Sequence, residues 1–307
     1  VAKTFEEACR LVQLRVPLAP ALLVQDFVQT AWNQLCDRRR WSHLRGEGEI
    51  ILSPSHTGTV NVTNANATVT GVGMTFVAAD VGRQFRLLQN PYTIIEVNVG
   101  ANTCVLDRVW GPASAAATTG LVFDAYVTMP EDFGSFWGVL DPNRDEIINW
   151  WMTEDELNMA DPNRTEVGEP RALASRRLSS VTSTLNRIQY EIWPYWTNAS
   201  DTRRFPYYYS KRPSVLTEDE YLPGAFRHRY DILVLAALGE AAEWPGPDVS
   251  KPNPYWSEKL AERKSVRLEE EMEKLERVDE EIYLTWLETV PWMHRRPISG
   301  RDYRSHE

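Results

Sequence analysis

No stretch of this chain approaches the ~18–20 consecutive apolar residues that a membrane-crossing helix needs. Cysteine is scarce: Cys9, Cys36 and Cys104 are far apart and odd in number among 307 residues. That arrangement offers neither a disulfide framework nor a metal-ligand spacing, and it fits reduced thiols in a cytosolic protein. The five histidines, His43, His56, His228, His294 and His306, are scattered. No two have the helical spacing of a zinc site, so no metal is expected. His228, inside Arg227-His228-Arg229-Tyr230 at a helix start, reads as a helix-end or surface histidine rather than a base. Walker-type, GxGxxG, HExxH and GxSxG motifs are all missing, so neither a cofactor nor a catalytic residue is expected. Positive charge is in deficit too, with a net charge of −10. A protein whose work is to grip the nucleic-acid backbone carries a basic patch, so DNA binding is not expected to be its main role. An acidic wall would instead let DNA slide past. The opening Val1-Ala2-Lys3 lacks the apolar core of a signal peptide, and a soluble chain made in a cytoplasm is expected.

What the chain has in plenty is carboxylates and aromatics. Glu131-Asp132, Glu154-Asp155-Glu156 and Glu218-Asp219-Glu220 could each supply one half of a glycosidase pair. The second and third of these clusters sit where helix caps and turns call for acidic residues. A capping or solvated role is therefore the reading we adopt. The 12 Trp and 12 Tyr exceed what a core alone requires, and they fit a component of an assembly. The length allows a sizeable core in two domains or in one elaborate domain.

Thr4 reads as an N-cap with Glu6 and Glu7 in the first turn, and Phe5, Ala8, Leu11, Val12 and Val16 recur at helical spacing. Pro17 and Pro20 end that helix, and a second runs from about Ala21 to Arg40. A strand follows at Glu49–Ser53. From Pro54 to Thr119 charge nearly vanishes, and Val, Thr, Asn and Gly dominate. Alternating runs at Thr59–Thr63, Ala67–Thr70, Gln84–Leu88, Tyr92–Val97 and Thr103–Leu106, parted by turn residues, predict a small β-sandwich or barrel. This reads as a domain inserted between the strands Glu49–Ser53 and Leu121–Thr128, with Gly111–Gly120 as a surface loop. Gly138–Asp141 and Glu146–Trp151 read as a hairpin. Thr153 with Glu156 reads as a capping box, and a short strand is expected near Arg171–Ser175. After Pro245-Gly246-Pro247 a charged helix is expected from Tyr255 to Glu288. Its narrow apolar stripe is Leu268, Met272, Leu275, Ile282 and Trp286, interrupted by Asp279. The stripe could cover either a neighbouring subunit or its own domain.

The segment Asn186–Trp244 holds the most specific order: an alternating strand Ile188–Trp193, an aromatic strand Arg203–Arg212, the acidic turn Thr217–Glu220, Leu222-Pro223, and an apolar helix from about Ala225 to Glu243. This order resembles the head-to-tail adaptor (connector) proteins of tailed bacteriophages. Trp41-Ser42-His43-Leu44-Arg45 after two helices, and Met129-Pro130-Glu131-Asp132-Phe133 after a strand, are similar to features of the same family. The resemblance implies an α+β fold: a helical adaptor core with a long C-terminal helix, an inserted all-β domain and a strand-rich middle. The divisions expected are 1–53, 54–120, 121–290 and an extended tail 291–307. The family implies a virion protein at the neck, assembled in the host cytoplasm. It implies a homo-oligomeric ring, commonly of twelve subunits, docked on the portal protein. Its lumen would extend the DNA channel without sequence-specific binding, and its far side would receive the tail or nozzle protein. On that basis Trp292, Arg295, Arg296 and Arg301 are expected to touch the portal. Two other classes stay open: a carbohydrate- or surface-binding virion protein using the β insert, and a peptidoglycan-lytic tail component.

Overall fold

The computed structural model describes residues 4–87, 91–177, 188–217, 219–248, 253 and 258–287, with side chains of the last segment described over 262–280. Two compact units emerge: residues 1–45 together with 211–307, and residues 46–210. Among the described residues there are five α-helices: α1 (Phe5–Gln13), α2 (Ala21–Asp37), α3 (Glu154–Ala160), α4 (Tyr230–Glu243) and α5 (Glu258–Leu287). The strands are β1 (Arg45–Leu52), β2 (His56–Val62), β3 (Thr68–Gly71), β4 (Gln84–Arg86), β5 (Pro91–Asn98), β6 (Thr103–Leu106) and β7 (Ala115–Thr128). They continue with β8 (Phe133–Asp141), β9 (Glu146–Ile147), β10 (Asn149–Thr153), β11 (Ala172–Arg177), β12 (Ile188–Trp196) and β13 (Arg203–Lys211).

The unit 46–210 is built almost wholly of β-structure. Strands β7, β2, β3, β6, β5 and β4 pair in that order, and β4 returns to β7, which closes a six-stranded antiparallel barrel. Closure leaves no free edge, so this segment needs no second sheet to cover it. Val60, Val69, Phe76, Phe85, Ile94, Leu106 and Val122 fill the interior. Strand β7 is longer than the barrel. Its far half pairs with β12, with Tyr190 opposite Val127 and Gln189 opposite Thr128, and so continues into the sheet β10-β11-β12-β7. A second sheet, β1-β13-β8-β9, shares a core with this one. Phe133, Phe136, Tyr190, Phe205, Tyr207 and Tyr209 make up much of that core. Their rings meet edge-on or tilted, for example Phe133 and Phe136 at 4.7 Å between centroids. On β13, Phe205, Tyr207 and Tyr209 alternate inward as the aromatic spacing predicts. Gly46 and Gly48 on β1 make room for them: a Cβ at either position would collide with the ring of Tyr209 or Tyr207.

The unit formed by 4–45 and 211–287 is helical. Thr4 and Glu7 close a reciprocal capping box at the start of α1. Helix α4 is central. Ile232, Leu233, Ala236, Ala237 and Ala241 are buried, and α1, α2 and α5 pack against it. The alanines let helix axes approach closely. Before α4, Phe226 is buried in a ring cluster, 5.2 Å from Trp32 and 4.8 Å from Trp41. Gly224, at φ +57, stands beside the His43 ring, which a Cβ would strike.

Several expectations need correction. The α+β architecture of a helical adaptor core carrying a β insert does not hold, because strand (36%) exceeds helix (31%) and the closed barrel dominates the β unit. The reason lies in residues 121–210, assigned above to the adaptor core. They alternate and pair into sheets that continue the barrel's own last strand. The chain accordingly divides at 45/46 and 210/211 rather than at 53/54 and 120/121. Gly111–Gly120 is not all loop: Ala115–Gly120 is strand, because β2 supplies a partner, with Thr118 opposite Val60 and Gly120 opposite Gly58. Of the helical stripe, Met272 and Leu275 are buried in the core of their own unit, and Leu268 packs against it. Asp279, which interrupts the stripe in sequence, has a bonding role of its own. It is fully buried, and its carboxylate accepts from the Ser42 N–H (3.1 Å) and Ser42 Oγ–H (2.5 Å).

This last contact yields a sharp expectation. Asp279→Leu would complete the apolar stripe on paper, yet it strips Ser42 of its acceptor. The variant should lose about 1–3 kcal/mol and melt at lower temperature by calorimetry. An unchanged or higher Tm would contradict the account.

Candidate functional site

One carboxylate of each acidic cluster weighed as a catalytic pair is engaged in a hydrogen bond within the fold. Glu156 closes a capping box with Thr153, whose backbone N–H keeps the Glu156 carboxyl below the usual carboxylate range. Glu220 accepts from the Thr217 N–H and Oγ. Asp132 accepts from the Tyr209 hydroxyl at 2.9 Å. Glu218 lies outside the described residues, as do Trp292, Arg295, Arg296 and Arg301. The side chains of Ile282 and Trp286 are likewise outside what is described.

Three ionic clusters inside the β unit escaped sequence reasoning, because their members are far apart in the chain. Arg164 Nε donates to buried Glu191 at 2.7 Å, and the Tyr195 hydroxyl donates to the same oxygen at 2.7 Å. Burial, reinforced by that carboxylate, pushes the Tyr195 hydroxyl far above its ordinary range. Asp80 is fully buried, with Arg83 and His56 each 3.3 Å away. Burial opposes its charge, but the His56 contact, the Val77 N–H and Arg83 outweigh this and hold it below the usual range. Arg83 also reaches Asp124 on β7 at 2.8 Å and the Pro54 carbonyl at 2.9 Å. It thereby ties the chain entering the barrel to the strand leaving it. Arg203 Nη2 bridges Asp141 (3.1 Å) and Glu169 (2.5 Å). In each network an arginine answers at least one buried carboxylate and joins segments distant in the chain, the arrangement that lets such carboxylates stay buried.

Two surface features stand apart from this internal bonding. One is the loop joining α1 to α2 together with the first turn of α2. Leu14, Leu18 and Leu22 are 68%, 42% and 79% exposed, while Val16 and Ala19 between them are buried. The Gln13 amide donates to the Val16, Pro17 and Ala19 carbonyls, closest at 2.9 Å to Ala19. Pro17 and Pro20 restrict the loop further. Three leucines are thus presented on a pre-formed backbone, a costly display unless something covers them. The other feature is a cleft of about 470 Å³ in the β unit, lined by side chains that include Asp141, Arg144, Glu146, Ile147 and Arg171. By contrast, Phe76, Phe85, Tyr92 and Trp110, the aromatics of the barrel segment, are all buried in its core. They give the barrel no aromatic platform for a sugar.

No protein-family model matches the chain, and no curated protein matches it either. Among the described residues no group of three or more His, Cys, Asp or Glu side chains is placed to hold a metal ion.

His43 supplies a test of the helical unit. Its ring lies among Trp32, Trp41 and Phe226, and neither ring nitrogen has a hydrogen-bond partner. Burial lowers its pKa from 6.5 to about 4, against the pull of Asp279. The unfolded chain therefore takes up a proton below about 6.5 that the folded chain refuses until about 4. Stability should fall across that window by on the order of 3 kcal/mol. His43→Phe should flatten this part of the stability–pH curve in urea unfolding from pH 7 to pH 4. A curve as steep as wild type would show that His43 is not the group responsible.

Proposed function

We propose that this chain is a structural virion protein, a head-to-tail adaptor. Copies of it close a ring at the neck of a tailed bacteriophage, dock on the portal, carry the DNA channel onward and offer the tail its attachment surface. The observation that carries the reading is the pinned loop with Leu14, Leu18 and Leu22 outward. A rigid apolar projection of three exposed leucines suits a protein partner. In a ring that partner is the next copy, and closure multiplies a modest contact.

Other features support the same reading. The order of strand, strand, Leu222-Pro223 and apolar helix that prompted the family resemblance recurs as β12, β13, buried Leu222 and α4. In the β unit the buried carboxylates Asp80, Asp141 and Glu191 are each paired with an arginine, which suits a mechanical part. The net charge of −10 suits a conduit past which DNA slides.

Gold-labelled antibody against the chain should mark the neck of intact particles, and particles without label there would end the proposal. The leucines are tested separately. Leu14→Ser, Leu18→Ser and Leu22→Ser combined should weaken self-association by about 100-fold or more, read by sedimentation velocity. Because all three are exposed, folding stability should stay within the range of about ±0.5 kcal/mol per site expected for surface changes. Undiminished assembly by this variant would remove the loop from the interface.

A further inference from the structure

A ring of more than two copies needs two different faces on every copy, one to offer and one to receive. Leu14, Leu18 and Leu22 supply the first and leave the second unassigned. Cations outnumber acids around the leucines. From residue 10 to residue 26, one helical turn beyond them on either side, the charged residues are Arg10, Arg15 and Asp26. Burial, and then the charge of Arg15, lower the Lys264 ammonium to about 8, which puts a third cation near the loop. The opposite balance surrounds β10 and α3. Residues 145–160 hold Asp145, Glu146, Glu154, Asp155 and Glu156 and no base. The surroundings do not cancel this: the whole segment 141–177 sets nine acids against five arginines. Adding Arg86, Glu191 and Arg203, which bond into that segment, still leaves it negative. On this acidic ground Trp151 is 66% exposed and Met159 86%. The Trp151 ring stands edge-on to Trp150 at 4.6 Å between centroids. Met159 lies on α3, which follows β10 directly and packs against it. Among the described residues Trp151 and Tyr221 are the exposed aromatic side chains, the type that anchors interfaces. Tyr221 lies under the Arg227 guanidinium, a charge of the same sign as the leucine segment.

We propose that the face carrying Trp151 and Met159 receives the Leu14, Leu18 and Leu22 segment of the next copy. This rests on the ring reading and names the other half of its contact. The Trp151 ring offers the leucines a large apolar surface, and unbranched Met159 adapts to their shape. Glu154 and Asp155 answer Arg10 and Arg15 at the rim, which orients the contact more than it strengthens it. Two leucine segments carry the same sign of charge, and so do two β10–α3 faces. Like faces therefore disfavour each other, and the contact runs head to tail, the geometry that closes a ring.

The test is sedimentation velocity on the full chain in two variants. One combines Leu14→Ser, Leu18→Ser and Leu22→Ser, and the other combines Trp151→Ser and Met159→Ser. The second should self-associate at least about 30-fold more weakly than wild type. Mixed one to one, the two variants should form a dimer and nothing larger, because each pair keeps a single intact junction. Assembly of either variant at wild-type strength overturns the inference. When only the leucine variant fails to assemble, the ring stands and the Trp151 face is excluded from it. Variants that stay apart on mixing also overturn the inference, since the two faces then do not meet. A wild type that never associates ends the ring reading, and this inference with it. A second measurement depends on no lost contact. Copies with Leu18→Cys and copies with Met159→Cys, both at exposed sites, are assembled together and treated with a short bismaleimide. A cross-linked peptide joining positions 18 and 159 of two copies is expected. Links that join only 18 to 18 or 159 to 159 overturn the pairing.

Discussion

Strand β7 is asked to belong to two β-structures at once, and the rest of the β unit is arranged around that demand. Its first half closes the barrel between β2 and β4, and its second half lies beside β12 in an open sheet. A strand can do this only if it is long enough and if both of its faces are served where the two structures meet. At fourteen residues it is the longest strand among those described. At the junction Val122, Phe123 and Ala125 are all fully buried, with Phe123 against Tyr195 and the Arg86 guanidinium over the Phe123 ring. Asp124, on the opposite face from Phe123, accepts from the Ser53 N–H and from Arg83. The point where the chain enters the barrel and the point where it leaves are thus bonded to one side chain. Barrel and sheet are one continuous structure for this reason, not two domains joined by a linker.

The helical unit solves a different problem, which is how to bury polar groups among aromatic rings. Asp279 is placed to receive the Ser42 backbone and hydroxyl, so a charge inside the unit becomes a fastener between α5 and the segment after α2. His43 has no such partner and stays neutral instead. Burying a charge and burying a titratable ring are both costly, but the first cost is offset by hydrogen bonds and the second by losing the charge. The same rule governs the Arg203, Arg164 and Arg83 clusters of the β unit. With so many ionisable side chains committed inward, features left open on the surface gain meaning. The segment carrying Leu14, Leu18 and Leu22 is such a feature. An exposed apolar patch of this kind suits contact with another protein.

Much of this molecule was legible in its sequence. Period-2 alternation marked the strands of the barrel segment and of β12 and β13, and helical periodicity with Thr4 and Thr153 as caps marked α1, α2 and α3. Such signals are local, since a strand's alternation and a cap's hydroxyl act on neighbours within a few residues. What the sequence could not decide was which strands would pair. Ala115–Gly120 looked like a loop because small polar residues carry no period of their own, and only β2 lying alongside makes them a strand. The apolar stripe of α5 could have faced a neighbour or its own core, since a helix face reads the same in either case. Asp279 looked like a flaw in that stripe because its partner, Ser42, is more than two hundred residues away. Element identity followed from short-range chemistry written along the chain, whereas pairing and burial depend on contacts between distant residues, which exist only after the backbone has closed on itself.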